Sequence, residues 1–146
     1  MRPRFWELPL ADLTGPEWEA LCDGCGKCCL NKLEFIDTDE LAFTRISCRL
    51  LDCRSCRCSH YANRHKFVPE CVTLSPAKIG EISYWLPRTC AYRLRHEGKD
   101  LPEWHYLISG DRESVHRAGA SVRGWALSET EVPEKDWEDY IVEDLS

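Results

Sequence analysis

The pattern of apolar and polar positions first becomes readable at Thr14-Gly15-Pro16-Glu17. Thr14 can cap a helix, Pro16 suits its first turn, and Glu17 completes a capping box. The short helix this predicts carries Trp18 and Leu21 on one face and delivers the chain to Cys22. Gly24 and Gly26 then favour a tight turn over continued helix, because they tolerate backbone conformations that a side chain resists. Lys32 to Ile36 predicts a short strand. Asp37-Thr38-Asp39 predicts a turn or helix cap leading into Glu40 to Ile46, whose pattern does not separate helix from strand. Cys48 to Asn63 has too little periodicity to assign.

Farther along, Pro76 to Trp85 reads as helical or irregular and ends at Leu86-Pro87. Cys90 to His96 predicts a helix, with Tyr92 and Leu94 set among basic residues and Gly98 as its stop. Pro102 to Ile108 predicts a helix or turn closed by Gly110-Asp111. Ser121 to Leu127 alternates as a strand would. Pro133 opens a final short helix carrying Trp137, Tyr140 and Ile141. The elements together predict a small, irregular α+β fold over residues 1–146 as a single domain. Within it a cysteine-rich unit covers about 16–110 and an acidic helix or tail covers 128–146.

Composition changes the picture at one point: ten of the 146 residues are cysteine. In a secreted chain that would suggest a disulfide scaffold. Met1 to Leu13, however, has prolines and acids where a signal peptide needs a continuous apolar region. No apolar run is long enough to span a bilayer. Neither Asn31 nor Asn63 lies in an N-x-[ST] site. These features predict a cytoplasmic protein whose reduced thiols bind metal or do redox chemistry. The net charge of −6 disfavours nucleic-acid phosphates as partners and leaves a protein partner undefined. Charge is uneven, with a basic run from Arg45 to Lys66 and an acidic stretch from Glu129 to Asp144.

Cys22, Cys25 and Cys28 form a C-x-x-C-x-x-C run, which lets one turning backbone aim three sulfurs at a common point. Its glycines leave backbone N–H groups free to point at sulfur. Such a run suits an iron–sulfur cluster closed by a distant fourth cysteine. Zinc remains an alternative, with Cys22 and Cys25 as one knuckle and Cys53 with Cys56, or Cys56 with Cys58, as another. Cys28 and Cys29 are adjacent, so either they serve two nearby sites or one is a ligand and the other is buried or reactive. Two four-thiolate sites would use eight of the ten cysteines, and a polynuclear site with bridging sulfurs would use them more economically.

Cys48, Cys53, Cys56 and Cys58 form a second group, followed by Cys71 and Cys90 after proline-containing turns. Cys53 is the best candidate for a non-ligand. The basic run would offset the negative charge of a thiolate site and could donate hydrogen bonds to sulfur. His60, after Cys58, could add a nitrogen ligand, whereas His65, His96, His105 and His116 lack ligand spacing. The tryptophans read as core or covering groups around the metal region. No acid–base pair, phosphate loop or nucleophile motif is present, so the sequence makes no claim for or against catalysis.

The run Cys22-Asp23-Gly24-Cys25-Gly26-Lys27-Cys28-Cys29, continued by L-N-K-L, resembles the bacterial CxxCxxCC family of YcgN/YkgJ-like, zinc- or iron-chelating proteins. The likeness continues through D-T-D-E, Cys56-Arg57-Cys58, Pro69-Glu70-Cys71, W-L-P-R-T-C-A-Y-R-L and E-G-K-D-L-P-E-W-H. It spans roughly residues 16 to 125. The resemblance implies Cys22, Cys25, Cys28, Cys29, Cys48, Cys56, Cys58, Cys71 and Cys90 as metal candidates, and leaves Cys53 outside. It implies no activity or substrate. The expected function is a cytoplasmic metal-binding protein holding a four-iron iron–sulfur cluster or zinc. The alternatives are a zinc-stabilised module that binds protein or nucleic acid, and an accessory subunit or enzyme that uses a cluster for redox chemistry.

Overall fold

The computed structural model describes residues 1–35, 37–38, 40–143 and 145. It has an α+β architecture of short elements. Helix α1 (Gly15–Ala20) begins as its sequence predicts, with a reciprocal capping box. The Glu17 N–H donates to Thr14 Oγ1 at 3.3 Å and the Thr14 N–H donates to Glu17 Oε1 at 2.9 Å. The same carboxylate pairs with Arg2 at 2.6 Å and is almost wholly buried. One side chain thus starts the helix and ties down the N-terminal segment.

A short 3-10 turn, Lys27–Cys29, feeds strand β1 (Leu30–Phe35), which pairs antiparallel with β2 (Glu40–Ser47). The segment left open between helix and strand is therefore a strand, one whose Phe43 and Ile46 are buried. Ile36 and Asp39, in the predicted strand end and turn, lie outside the described residues. A register shift between Leu30 and Lys32 bends β1 where it leaves the cysteine loop. The short hairpin β3 (Leu51–Asp52) and β4 (Arg57–Cys58) occupies the unassigned cysteine-rich stretch.

Four one- or two-turn helices follow the one-turn α2 (Arg64–Phe67): α3 (Ile79–Ile82), α4 (Ala91–His96), α5 (Tyr106–Ser109) and α6 (Ser114–Arg117). The predicted strand over Ser121–Leu127 is a correction. Trp125 and Ala126 N–H groups donate back to the Val122 carbonyl, so this stretch turns, and only Leu127–Ser128 forms a strand, β5. Its alternation reflects a turn with Val122 inward, not a pleat. A 3-10 helix, Glu134–Tyr140, follows Pro133, and β6 (Ile141–Val142) leaves the predicted final helix to pair with β2. β1 lies along one edge of β2, and β5 and β6 share the other.

Two apolar clusters flank the cysteine loop. Trp18, Leu21, Ile79, Leu86, Cys90, Ala91, Tyr92 and Leu101 form one. Leu30, Phe43, Leu51, Cys56 and Val122 form the other. Burying a side chain such as Leu21 contributes about 1.5–3 kcal/mol.

The α1 cap generates a stability prediction. Thr14→Ala should cost about 1 kcal/mol in chemical denaturation. The Arg2 hydrogen bond, with the Thr14 N–H, holds the Glu17 carboxyl well below the usual carboxylate range. A depressed folded-state pKa stabilises the fold above the unfolded carboxylate pKa, and that stability is lost as pH falls below it. The native chain should therefore lose stability more steeply than Glu17→Gln below about pH 5. Parallel acid limbs would refute this role.

Candidate metal centre

The cysteine loop is positioned from its N-terminal side by the end of α1. The last carbonyls of a helix lack partners within it. Here the Tyr92 hydroxyl donates to the Trp18 carbonyl at 2.6 Å, the Tyr106 hydroxyl donates to the Ala20 carbonyl, and His105 Nε2–H donates to the Leu21 carbonyl at 2.8 Å. His105 Nδ1 accepts the Leu107 N–H at 3.1 Å, which fixes the ring as the Nε2–H tautomer. Burial pushes the His105 pKa down, so the ring stays neutral. Side chains from α4 and from the start of α5 thereby hold the residue immediately before Cys22.

The loop then turns twice through positive φ, at Gly24 (+79°) and Gly26 (+77°). A Cβ on Gly26 would meet Val122 Cγ2 at 2.9 Å and Cys56 Cβ at 3.1 Å, so the loop lies directly on the second apolar cluster. Across Gly26 the Lys27 N–H donates to Cys25 Sγ at 3.4 Å, the N–H-to-sulfur contact that the spacing predicts. Lys27 itself is buried and reaches Thr89 Oγ1 at 3.3 Å, next to Cys90. Cys90 caps the N-terminus of α4 and belongs to the same apolar cluster as Leu21. It therefore comes to the face carrying Cys22, Cys25 and Cys28.

A second set gathers at the sheet. The Cys48 N–H donates to the Cys29 carbonyl at 2.8 Å. Cys58 in β4 lies opposite Leu51, and the Ser59 N–H reaches back to the Leu50 carbonyl at 2.7 Å. Arg49 donates to the Phe67 carbonyl, which brings the segment carrying Cys71 alongside. Cys53 stands apart, and Cys56, although its backbone and Cβ lie against Gly26, has other groups around its thiol. Cys56 is buried with φ +61° and faces Ser121, Val122 and Arg123. Cys53 lies 3.5 Å from the Ser47 hydroxyl. His60 is exposed, with Nδ1 on the Ser59 hydroxyl at 2.9 Å, and joins neither set.

The electrostatics join the two sets at the Cys28–Cys29 pair. Burial pushes the Cys25 and Cys90 thiols up, Cys90 to about 12, and Asp23 and Cys28 add to the rise in each. Burial also raises the Cys48 thiol, with Cys71 and Cys58 contributing. Between the adjacent pair, a hydrogen bond from the Cys29 thiol pulls Cys28 down, and Lys32 helps. Cys29 is pushed up in turn, with Cys48 and Cys58 among its charged neighbours.

Two charged residues that sequence reasoning passed over sit inside this arrangement. Asp23 is buried, and its Oδ1 accepts the Cys25 N–H at 3.0 Å. Its Oδ2 has no hydrogen-bond partner among the described residues. An unpartnered buried carboxylate oxygen among thiols is costly unless a cation offsets it. Lys32 Nζ donates to the Cys28 and Leu30 carbonyls at 2.9 and 2.8 Å and stands 5.1 Å from the ring centroids of Phe43 and Trp85. The signal for Asp23 was its place inside the C-x-x-C spacer; nothing in the local pattern pointed to Lys32.

The donor chemistry fits a soft metal or an iron–sulfur cluster: clustered thiols, an N–H to sulfur, and a carboxylate in need of a cation. Among the described residues, no three His, Cys, Asp or Glu side chains are already drawn into a closed ligand set. No helix among them is long and apolar enough to cross a membrane.

A small α+β framework that gathers cysteines from separate segments onto one loop defines a cysteine-cluster protein. The chain belongs to the UPF0260 family. It is 68% identical over 145 residues to a UPF0260 protein of Rhodobacter capsulatus, across 99% of this chain and 97% of that one. It is 58% identical to one from Granulibacter bethesdensis, across 94% of this chain and 82% of the relative. A Pseudomonas aeruginosa relative is 56% identical, across 94% and 93%. Residues 21–91 match the CxxCxxCC family, described as a "putative zinc- or iron-chelating domain". The resemblance carried by the cysteine run is thereby borne out. No solved structure matches the chain.

Two substitutions test how the loop is held. His105→Leu leaves the Leu21 carbonyl and the Leu107 N–H without partners and should cost about 1–3 kcal/mol in chemical denaturation. Gly26→Ala, with both a positive φ and a clash, should destabilise by more than about 1 kcal/mol. Gly24→Ala, strained in φ but facing open space, should cost less. Equal losses at the two glycines would mean that Gly26 is not packed against Val122.

Proposed function

We propose that this chain is a cytoplasmic metal-binding protein whose cysteine thiolates hold an iron–sulfur cluster of the four-iron kind, or zinc. The observation that carries this reading is the gathering of thiols around the buried, half-unpartnered Asp23 carboxylate. Cys22, Cys25 and Cys28 come from one loop, and Cys90 comes from the start of α4. Acidic donors this close together disfavour one another's ionised forms, and a bound cation reverses that penalty. All ten cysteines are free thiols, which suits the reducing compartment.

The C-x-x-C-x-x-C run with a remote fourth cysteine supports the iron–sulfur occupant. Zinc is the other occupant that four thiolates accept, and it would make the role structural. With iron, the role is electron transfer or sensing. Asp23 and Lys32 would then set the charge around the thiolates, and Lys27 would hold the Cys25 sulfur through its backbone N–H. No paired acid and base supports a catalytic reading.

Anaerobically purified protein should contain tightly bound metal. Iron with acid-labile sulfide and visible absorption selects the cluster, and stoichiometric zinc in colourless protein selects the structural site. Well-folded metal-free protein would sink the proposal. Cys25→Ser should lose metal while Cys53→Ser retains it, and equal content in the two would refute that ligand assignment.

A further inference from the structure

We propose that the chain carries two separate thiolate metal centres divided at the Cys28–Cys29 peptide bond. Cys22, Cys25, Cys28 and Cys90 hold one, and Cys29, Cys48, Cys58 and Cys71 hold the other. This rests on the metal-binding reading above and deepens it by stating how many centres there are and which cysteines serve each.

The division follows from where the backbone carries each thiol. Cys28 and Cys29 lie in the 3-10 turn Lys27–Cys29. With about three residues per turn, successive side chains there leave the backbone about 120° apart, while the Cys29 thiol still donates to the Cys28 sulfur, so the two proposed centres adjoin. One residue is the last of the glycine-rich loop; the other is hydrogen-bonded through its carbonyl to Cys48 at the mouth of the sheet. The loop side holds Cys22 and Cys25 and meets Cys90 through the Lys27–Thr89 contact and the shared cluster of Leu21 and Cys90. The sheet side gathers Cys48 and Cys58 through β3 and β4, and Cys71 through the Arg49–Phe67 contact.

The two sides differ in their charged neighbours and meet at the Cys28–Cys29 pair. Asp23 acts on Cys22, Cys25, Cys28 and Cys90. Cys29 is acted on by Cys28 first and then by Cys48 and Cys58, and Cys48 by Glu129, Cys71 and Cys58. Lys32 lies at the boundary and feels Cys28 and Cys90 from one set and Cys29 and Cys71 from the other. One ammonium thus serves both centres and offsets the repulsion between two thiolate groups joined by a single peptide bond. Cys56 and Cys53 are left over: the Cys56 backbone and Cβ abut Gly26, but its thiol is met by Ser121–Arg123, and the Cys53 thiol by Ser47. Eight ligands in two sets of four match the coordination number of tetrahedral zinc and of a four-iron cluster.

The experiment measures metal per chain in full-length protein purified anaerobically, with size-exclusion chromatography to verify folding. Cys90→Ser and Cys71→Ser should each retain about half the native metal, the double variant almost none, and Cys56→Ser the full amount. Complete loss in both single variants would overturn the division in favour of one polynuclear site. A half-loss in Cys56→Ser would overturn the ligand sets. Metal-free native protein would instead sink the metal-binding reading itself. A second measurement needs no variant. Native protein is treated with limiting chelator, alkylated with iodoacetamide, and mapped by peptide mass spectrometry. Cys22, Cys25, Cys28 and Cys90 should become labelled as one group, and Cys29, Cys48, Cys58 and Cys71 as another. Simultaneous labelling of all eight would overturn the division.

Discussion

Crowding of acidic donors around the buried Asp23, Cys25 and Cys90 is the constraint on which the rest of this structure depends. A thiolate loses solvation when buried and loses more when a second anion stands beside it. Cys25 and Cys90 meet both penalties, and Asp23 contributes to each. The chain does not relieve the crowding with a matching number of its own cations. Among the groups acting on these thiols, Lys32 is the cation that reaches both sides of the Cys28–Cys29 pair. On the proposed reading the remaining charge is supplied by metal, so ligation and the final closure of the loop are one event.

A loop carrying such donors needs a frame that does not itself depend on their ionisation. The capping box at Thr14 and Glu17 starts α1, and Tyr92, Tyr106 and His105 receive its last carbonyls. Both ends of this short helix are thus satisfied by groups outside the thiol sets. On the other side the Cys48–Cys29 hydrogen bond and the long β1–β2 pairing fix where the loop must end. Chemistry-bearing residues on a loop clamped between rigid elements are the usual arrangement for a functional site.

What the sequence made legible was local. The Thr14–Glu17 signature, the glycine turns, the stop of α4 at Gly98 and the helical character of Ala91–His96 depend on neighbouring residues, and each is realised. Ser121–Leu127 misled because a buried Val122 packed against Gly26 imitates one inward position of a strand. The site was legible in its cysteines and not in its charges. Spacing marks Cys22, Cys25 and Cys28 because all three share one loop. Lys32 gains its role only when β1 folds beside Phe43 and Trp85, which are remote in sequence or of unassigned type.

The basic run illustrates why composition alone misplaces charge. Arg45 donates to the Trp125 carbonyl, Arg49 to the Phe67 carbonyl with Glu129 3.5 Å away, and Arg64 stacks 4.3 Å from the Tyr61 ring centroid. These arginines clamp irregular segments that lack ladder hydrogen bonds of their own, and among the described residues none donates to a thiol. Arginine suits that task because its charge survives partial burial and its donors fork. Lysine suits the boundary position for a different reason. Burial pulls the Lys32 pKa down while Cys28, Cys29, Cys90 and Cys71 pull it back up, so its charge and theirs are mutually dependent. An ammonium held on the Cys28 and Leu30 carbonyls and within the field of thiols from both sets makes the short bridge from Cys28 to Lys32 the place where the two halves of the cysteine cluster are electrostatically joined.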